Sequence, residues 1–389
     1  MDRYNGNECF YDGCIGWEWL LLSVFGLVVM VQLFYHWYFF SRIAFFRRGQ
    51  EDLRAAAPSV SVIICARNEY INLRKNLPLV LQQKYGDFEV VVVDDCSTDG
   101  THGLLKDFQH EYGHLKVVSL TSTVSFMKGK KLPLSVGIKS ARHELLLLTD
   151  ADCRPSGPFW VRDMTRHQQE EGVDIVLGYG PYEARPGLLN RLIRLDTLLV
   201  ALQYLSLALA GHPYMGVGRN LSYKRRLFYL ARGFTSHYHM VSGDDDIFIN
   251  QVAGKSNTTI EISHGAQMVS EPESRFSDWY RQKRRHLTSG RMYRKKHRWL
   301  LGVFLTSQWL FYPLFVLIVI VSGVSPAGQA GLALFLVRML SHYLIIRGAA
   351  NTLDERKICL FSLAGDGLLA LLSPLFALSS LFSPHTKWR

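Results

Sequence analysis

Long apolar runs at both ends of the chain restrict its fold more than any other feature of the sequence. A helix of about 20 apolar residues crosses the hydrocarbon core of a bilayer. Runs of this kind lie at residues 17–40, 299–324, 330–346 and 358–382. We therefore predict a tail at residues 1–16, a transmembrane anchor at 17–40 and a C-terminal transmembrane region at 299–383.

The charges that flank these runs predict the orientation of the chain. Arg42, Arg47 and Arg48 follow the first run, whose N-terminal flank carries acids and few bases. Positive charge marks the cytosolic end of a membrane span. A cleavable signal peptide is the alternative, but the run is long and its bases come after it. We expect an integral protein of the plasma or inner membrane, with residues 58–298 forming a cytosolic domain.

The formal net charge of +11 at pH 7 suits a protein beside anionic lipid head groups or an anionic substrate. Nucleic acid is the rival partner, but the densest basic stretch, at residues 281–298, directly precedes an apolar run, as membrane topology favours. We therefore predict membrane lipids, and no nucleic acid, as partners. Cys65, Cys96 and Cys153 are expected to be free thiols in a reducing compartment.

The middle of the chain alternates short β-branched runs with helical stretches. The predicted strands cover residues 59–65, 88–93, 116–119, 144–149 and 174–178, and the predicted helices cover 71–83, 100–112, 133–141 and 158–170. This alternation is typical of an α/β fold with a mostly parallel sheet and a ligand site at the carboxyl ends of its strands. A helix at 187–211 is heavily apolar but carries charges, so an interfacial position and a core position are both open.

A pair of acidic residues follows the fourth predicted strand. Asp150 and Asp152 end a run that contains four leucines, and residues two apart in an extended chain point the same way. Two carboxylates at one strand tip repel each other unless a cation lies there, and Mg²⁺ or Mn²⁺ prefers oxygen ligands. A solvated turn is the alternative, since Asp is common in turns.

Two further features suit a bound nucleoside diphosphate. Asp94 ends the second strand, where its carboxylate would accept hydrogen bonds from a ribose or a base. Lys128, Lys130 and Lys131 precede a helix start, and lysines at a helix N-terminus favour a phosphate. A solvated basic loop is the alternative for these lysines.

Three adjacent carboxylates, those of Asp244, Asp245 and Asp246, stand at the start of another predicted helix. They would partly balance the helix dipole there. The functional alternative makes one of them the general base that deprotonates an acceptor hydroxyl. The pattern alone leaves both roles open.

This ordered series resembles the membrane-bound family 2 glycosyltransferases related to cellulose, hyaluronan and poly-N-acetylglucosamine synthases. The resemblance covers residues 58–290 and includes a Gln-x-x-Arg motif at Gln282 and Arg285. It implies a GT-A-like nucleotide-sugar-binding domain and inverting transfer from a nucleotide-diphosphate sugar, with a UDP-sugar as the expected donor. The acceptor would be a glycan or a lipid-linked molecule at the cytosolic membrane face, in cell-surface polysaccharide or glycolipid synthesis.

Carried over position by position, the resemblance assigns candidate site residues. The nucleotide sugar would be bound by Ala66, Glu69, Asp94, Lys130, Asp150, Gln282 and Arg285. Asp152, together with Asp150, would hold Mg²⁺ or Mn²⁺. Asp244 would be the catalytic base, with Asp245 as its rival because Gly243 stands where the family motif usually has Glu.

The acceptor side of the resemblance rests on two residues. Asn220 lies in a loop at residues 218–223 that resembles the acceptor-side loop of the family. His286 stands where the family has a tryptophan that stacks on the acceptor sugar. A histidine can still stack or hydrogen bond, but the replacement puts long-chain processivity in doubt.

A non-catalytic membrane scaffold of a polysaccharide synthesis or export complex is the alternative function. Such a protein would keep the sugar-binding fold with eroded acidic motifs, whereas the Asp-x-Asp pair and the Asp triple are intact here. We therefore expect an active hexosyl- or N-acetylhexosaminyl-transferase.

Overall fold

A computed structural model describes residues 11–47, 58–121 and 129–381. Cys9, Arg48 and Lys128, which the sequence arguments use, lie outside these residues. The described residues form a sheet domain that packs against a group of long apolar helices.

The sheet domain contains a seven-stranded sheet and a two-stranded ribbon. Its strands are β1 (Val60–Ala66), β2 (Phe88–Asp95), β3 (Leu115–Leu120), β4 (Leu145–Asp150), β5 (Cys153–Pro155), β6 (Ile175–Gly178), β7 (Leu221–Lys224), β8 (Thr258–Glu261) and β9 (Met268–Ser270). The order in the large sheet is β3-β2-β1-β4-β7-β6-β8, and β5 pairs with β9. Within the large sheet, β7 runs antiparallel to β4 and β6, and the other neighbours are parallel. The predicted α/β fold with a mostly parallel sheet is confirmed.

The helices connect the strands and form both ends of the described chain. They are α1 (Tyr11–Phe34), α2 (Ser41–Ala44), α3 (Tyr70–Leu81), α4 (Thr101–Glu111), α5 (Lys131–Ser140), α6 (Trp160–Thr165), α7 (Leu188–Leu209), α8 (Arg226–Leu230), α9 (Asp246–Val252), α10 (Phe276–Leu287), α11 (Lys295–Ser322), α12 (Pro326–Thr352) and α13 (Phe361–Leu381). A π-helical turn at Tyr35–Phe40 joins α1 to α2, and short 3₁₀ turns lie at Arg166–Gln169, Thr235–His237, His264–Ala266, Ser289–Met292 and Arg356–Ile358.

The central strands form because their apolar residues fill a core on each face of the sheet. In β2, Val90 and Val92 belong to a core cluster that includes α3, whereas Val91 and Val93 belong to a second cluster that includes α5. Strands buried on both faces read as continuous apolar runs rather than as alternating ones. This is why each of the five predicted strands lies within two residues of an observed strand.

Five helical segments of the described chain are long and apolar enough to cross a membrane, namely Gly16–Ala44, Leu188–Leu209, Lys295–Ser322, Pro326–Thr352 and Phe361–Ser379. Four of them correspond to the predicted spans. The helices α11 and α12 extend beyond the apolar runs because polar residues continue the helix at their ends, as in Lys295 and Thr352.

The helix α7 differs from the other four segments in its burial. The protein buries 61% of its most apolar stretch, compared with 22–33% in the others. Leu198 and Leu205 of α7 share a core cluster with Ile175 and Leu177 of the sheet. The helix therefore connects the sheet domain to the apolar helices, and its predicted interfacial position stays a prediction.

The last apolar run carries a charged residue, Asp366, that the structure buries among the helices. Its carboxylate pairs with Arg338 of α12 and accepts a hydrogen bond from the Tyr312 hydroxyl of α11 at 2.7 Å. The Arg338 guanidinium also donates to the Gln32 side chain of α1 at 2.6 Å. The helix α13 is continuous through Pro374. Together with the buried pair, this continuity favours packing of the run inside the helix bundle.

Candidate functional site

The carboxyl ends of β1, β2 and β4 lie at the same edge of the sheet. In the strand register, Ala66 is opposite Asp94 on one side of β1, and Cys65 is opposite Asp150 on the other. The parallel pairing therefore brings the acidic motifs after strands two and four to the two sides of one strand end. This is the edge at which parallel sheets bind their ligands.

Asp150 and Asp152 form an acidic pair at the tip of β4. Their carboxylate oxygens and the Cys153 sulfur all lie within 4.8 Å of one another. Burial and the neighbouring Asp150 raise the pKa of Asp152. Burial and nearby carboxylates also raise the pKa of the Cys153 thiol, which donates to Asp152 Oδ1 at 3.2 Å. Two carboxylates beside a protonated thiol are an oxygen-rich set, which suits a hard divalent cation.

Lys130 connects this pair to the Asp triple. Its Nζ lies 2.6 Å from Asp150 Oδ1 and 3.5 Å from Asp244 Oδ2. Although burial opposes it, Asp150 and Asp244 raise the pKa of Lys130 well above its ordinary value. Lys130 also keeps the pKa of Asp150 low against the effect of burial. Asp150 and Asp244, which are distant in sequence, thus share the ammonium group of Lys130.

The segment around Lys130 is held against the loop that precedes the Asp triple. Gly129 has φ +72°, and a Cβ there would lie 2.0 Å from the Val241 carbonyl oxygen. Only glycine combines this conformation with such a close approach. The fully buried Lys131 then donates from Nζ to the carbonyl oxygens of Met240 at 2.8 Å and Ser242 at 2.7 Å. Lys131 therefore positions the loop that leads to Asp244.

The three adjacent aspartates have different surroundings. Asp246 accepts hydrogen bonds from the Ser289 and Tyr293 hydroxyls, so it serves the packing of α9. Asp245 is the N-cap of α9, and its two oxygens accept from the backbone N–H groups of Asp246 and Gly218, each at 2.7 Å. Burial and its two acidic neighbours raise the pKa of Asp245 to about 7. Asp244 contacts Lys130 and lines the cavity described below.

The cations opposite the acidic pair come from α10 and from the loop before β7. Arg285 and Gln282 line the same cavity, and the Tyr182 hydroxyl lies 3.4 Å from Gln282 Oε1. The Arg219 guanidinium lies 4.5 Å from the centre of the Tyr182 ring. Its Nε is buried and has no hydrogen-bond partner among the described residues. Arg219 also lines the cavity, and its guanidinium carries the charge that suits an anionic ligand.

On the β1 side, the predicted nucleotide-binding residues lie close together but differ in their access to the cavity. Glu69 lines the cavity, and burial raises the pKa of its carboxylate. The Ala66 side chain is fully buried in the core. Asp94 is 3% exposed, accepts from the Ser97 backbone at 3.2 Å and lies 3.3 Å from His102 Nδ1. Neither Ala66 nor Asp94 is among the residues that line the cavity, so their nucleotide roles stay predictions.

Asn220, for which an acceptor role is predicted, is not among the residues that line the cavity. Its side chain is fully buried, accepts from the Trp160 indole at 3.0 Å and donates to the carbonyl oxygens of Tyr179 at 2.7 Å and Ala266 at 2.8 Å. These three hydrogen bonds stabilise the loop around Asn220, and its acceptor role stays a prediction. His286 does line the cavity, where the enclosing protein and the Arg285 and Lys283 cations lower the pKa of its imidazole.

These side chains surround one cavity of about 1200 Å³. Of the predicted site residues, those that line it are Glu69, Lys130, Asp150, Asp152, Asp244, Asp245, Gln282, Arg285 and His286. The cavity also reaches residues of α7, α11 and α13. The fold thus brings most of the predicted site residues to one cavity. The exceptions are Ala66, Asp94 and Asn220.

Sequence reasoning missed Arg219 and Tyr182, and it did not predict that Lys131 is buried. Lys131 gave no signal beyond the basic loop, because a lysine that donates to two buried carbonyls resembles a solvated one in sequence. Arg219 had a weak signal in Gly180, since a Cβ there would lie 2.4 Å from Arg219 Nε. The glycine makes room for the guanidinium, but the pairing is visible only once the fold brings the two loops together.

Comparisons with known proteins agree with this geometry. Residues 61–230 match the family model described as glycosyl transferase family 2. The probable glycosyltransferase YdaM of Bacillus subtilis is 27% identical over 197 residues, which are 50% of this chain and 45% of that protein. The beta-monoglucosyldiacylglycerol synthase of a Nostoc species is 29% identical over 128 residues, which are 32% of this chain and 27% of that protein. The chain therefore spans between about a quarter and a half of the length of these relatives.

A solved structure extends the comparison to the fold. The mannosyltransferase PcManGT of Pyrobaculum calidifontis, in complex with GDP-Man and Mn²⁺, aligns with a TM-score of 0.52 and 18% identity over 90% of this chain and 99% of that chain. At this identity the likeness concerns the fold alone, and it confirms the GT-A-like architecture. Residues 61–230 are thus similar in sequence to glycosyl transferase family 2.

Proposed function

We propose that this protein is an inverting glycosyltransferase. It moves a sugar from a nucleotide-diphosphate sugar, with a UDP-sugar as the expected donor, to a glycan or lipid-linked acceptor at the cytosolic membrane face. Three features support the activity: the cavity, the acidic pair that lines it, and the match of residues 61–230 to glycosyl transferase family 2.

One observation carries the proposal. Lys130 Nζ lies between the strand-tip carboxylate of Asp150 at 2.6 Å and the helix-start carboxylate of Asp244 at 3.5 Å. The first carboxylate belongs to the pair suited to a cation and diphosphate, and the second has the chemistry of a base. A donor diphosphate and an acceptor hydroxyl bound on these two sides would be held close together, as a direct displacement requires.

The residues at the tip of β4 fit a divalent cation. Asp150 and Asp152 supply carboxylate oxygens, and Cys153 stays a thiol that hydrogen-bonds to Asp152. These two carboxylates would hold Mg²⁺ or Mn²⁺, which stabilises negative charge on a departing diphosphate. The complex of PcManGT with Mn²⁺ supports such a cation in this fold. Arg285 and Arg219, which both line the cavity, would donate to the same diphosphate.

The chemistry of the transfer then follows from the side chains. Asp244 accepts the proton of the acceptor hydroxyl as its oxygen bonds to the anomeric carbon. The bond from that carbon to the diphosphate oxygen breaks, and the nucleoside diphosphate leaves with the electron pair. Arg285 and Arg219 stabilise the developing negative charge. Asp245, whose oxygens both accept backbone N–H groups, positions the loop.

The membrane arrangement is part of the proposal. Residues 42–298 would lie in the cytosol and the N-terminal tail outside a plasma or inner membrane. The four apolar segments that flank the sheet domain, Gly16–Ala44, Lys295–Ser322, Pro326–Thr352 and Phe361–Ser379, are long enough to span it. An impermeant thiol reagent applied to intact cells should label Cys9 or Cys14, after mild reduction if they are paired, and spare Cys96. Labelling of Cys96 but not of Cys9 or Cys14 would contradict this orientation.

The activity is tested with the purified full-length protein. Incubation with a panel of radiolabelled nucleotide sugars, a lipid extract and oligosaccharides should give one labelled product, and excess EDTA should abolish it. The Asp244→Asn variant should bind the donor but form no product above background. A wild-type protein that transfers no sugar from any donor would support the alternative, a non-catalytic scaffold.

A further inference from the structure

The cavity at the acidic site continues between the apolar helices. Its walls include Asp150 and Asp244 at one end and residues of α7, α11 and α13 at the other. Its volume of about 1200 Å³ exceeds the range of about 300–1,000 Å³ that is usual for a pocket holding one small ligand. A nucleotide sugar at the acidic end therefore leaves space for a second molecule at the apolar end.

One face of α11 and one face of α13 line the apolar end of the cavity. The lining residues of α13 include Leu369, Ala370, Ser373, Pro374 and Ala377, and those of α11 include Leu301, Leu305, Gln308 and Trp309. Spacings of three and four place each set on one side of its helix. Three of the five α13 residues have small side chains, which leave room between the helices.

Packing on different partners keeps α11 and α13 apart. Phe311 of α11 stacks on Phe25 of α1, with ring centres 5.5 Å apart. Phe376 of α13 instead packs against Trp279 of α10, with ring centres 5.4 Å apart. The two helices still meet where the Trp309 indole donates to the Ser373 hydroxyl at 2.8 Å. The space between them is therefore a feature of the fold.

The chemistry of this end favours an acyl chain over a glycan. A glycan carries many hydroxyl groups, and each one costs free energy when it is buried without a hydrogen-bond partner. The described walls of α11 and α13 offer few polar groups, and the Ser373 hydroxyl already accepts from Trp309. An acyl chain carries no polar groups and needs no such partners, so apolar walls suit it better than they suit a glycan.

The other end of the cavity specifies the reacting group. Asp244 is useful as a base only if the acceptor carries a proton that must be removed. An acceptor phosphate is already ionised near neutral pH, so a base beside it would repel it. A head group with a free hydroxyl carries such a proton and no negative charge, so Asp244 can deprotonate it without repelling it.

We propose that the acceptor is a membrane lipid with an acyl chain and a free hydroxyl, a class for which diacylglycerol serves as the probe. Its acyl chain lies between α11 and α13, and its hydroxyl reaches Asp244. This inference rests on the proposed function and narrows its acceptor. The hydroxyl proton goes to Asp244, the oxygen bonds to the anomeric carbon, and the nucleoside diphosphate leaves.

Lipid binding can be measured without any transfer. The full-length protein in lipid nanodiscs is irradiated with a diacylglycerol that carries a diazirine at the end of one acyl chain, and the labelled peptides are mapped. We expect labels on the cavity faces within residues 301–309 and 369–377, and excess unlabelled diacylglycerol should remove them. Labels confined to the outer face of α13, at Leu371 and Leu375, would overturn the inference.

Two neighbouring substitutions test whether the bound lipid is the acceptor. Ala370→Trp fills the apolar end, whereas Leu371 is 66% exposed on the other side of α13, so Leu371→Trp is the matched control. Transfer to diacylglycerol should fall at least about tenfold in Ala370→Trp, with donor affinity unchanged, and should stay near wild type in Leu371→Trp. Equal transfer by both variants would overturn the inference.

The outcomes also separate this inference from the proposed function. A wild-type protein that glycosylates soluble oligosaccharides but not diacylglycerol keeps the proposed function and refutes the lipid acceptor. Absence of transfer from every donor refutes the proposed function instead, and the labelling still decides whether a lipid occupies the space between α11 and α13.

Discussion

Two groups of carboxylates show how differently this protein treats negative charge. At the edge of the sheet, Asp150 and Asp244 share the Lys130 ammonium, and Asp152 lies beside them on a cavity wall. Between the apolar helices, Asp366 is 1% exposed and pairs with Arg338, which is also 1% exposed. Among the described residues, the carboxylates of the first group outnumber the ammonium groups that contact them. In the second group, one carboxylate pairs with one guanidinium.

The difference separates a binding site from a structural contact. A surplus of negative charge beside a cavity is stable only if a cation, protons or a ligand completes it, which is why shifted pKa values gather at functional sites. A buried ion pair between helices needs no ligand to balance its charges. It instead holds together the helices that carry the two side chains. The Arg338–Asp366 pair, with Gln32 and Tyr312, joins α1, α11, α12 and α13.

The largest effect is expected from the base. Asp244→Asn keeps the shape of the side chain but removes the proton acceptor, so turnover should fall by about 10²–10⁴-fold. Donor affinity should be kept, because this residue faces the acceptor. Steady-state turnover and calorimetric donor binding measure the two quantities.

Asp245→Asn is the matched control for the base, since its carboxylate is engaged by backbone N–H groups. We expect a milder loss of turnover in this variant. If Asp245→Asn instead binds donor and is inactive while Asp244→Asn turns over, the two roles are exchanged.

The next effect concerns the acidic pair. Asp152→Ala removes one of two cation-binding carboxylates, and we expect turnover to fall by about 10²–10³-fold, as when one electrostatic stabiliser of the departing charge is lost. Higher Mn²⁺ concentration should restore part of the turnover if the variant weakens cation binding. Undiminished turnover of Asp152→Ala, or of the wild type in excess chelator, would falsify the metal role.

The structural pair should respond in stability rather than in chemistry. Arg338→Met leaves the Asp366 carboxylate buried without its partner, and removing one member of a buried pair costs about 3–5 kcal/mol. The double variant Arg338→Met/Asp366→Leu should recover most of this stability, because no unpaired charge remains. Thermal unfolding in detergent measures both. A double variant as unstable as the single one would contradict the view of a closed, replaceable pair.

The smallest effect is a pH dependence at the acidic site. The pKa of Asp245 is raised from 3.8 to about 7, so the native protein binds more protons there than the unfolded chain between these values. Stability should therefore fall as pH rises through this window and level off above it. Asp245→Asn should flatten the slope, whereas Asn at the exposed Asp107 should not. Unfolding midpoints between pH 4 and 8 would show the difference, and identical slopes in all three proteins would contradict it.

Local patterns allowed the elements of this protein to be predicted from its sequence. The valine and leucine runs of β1, β2 and β4 predicted buried strands because parallel strands are apolar on both faces. The acidic motifs that follow them predicted a shared site because the carboxyl ends of parallel strands meet at one edge. The apolar runs, by their length, predicted the helices that could cross a membrane.

Contacts between distant segments were decided only by the tertiary structure. The antiparallel strand β7 was not predicted, and its pairing with β4 brings Gly218 within hydrogen-bond distance of Asp245. Asn220 sits in a motif that resembles an acceptor loop, yet its partners Trp160, Tyr179 and Ala266 bury it.

The sequence by itself determined the five predicted strands, the helices between them and the apolar runs, and at which strand ends the acidic chemistry lies. The tertiary structure decided that Lys130 joins Asp150 to Asp244 and that Asp366 is paired with Arg338. The physical reason is that periodicity and propensity act over a few neighbouring residues. The charge state and the partner of a side chain depend instead on which distant segments pack around it.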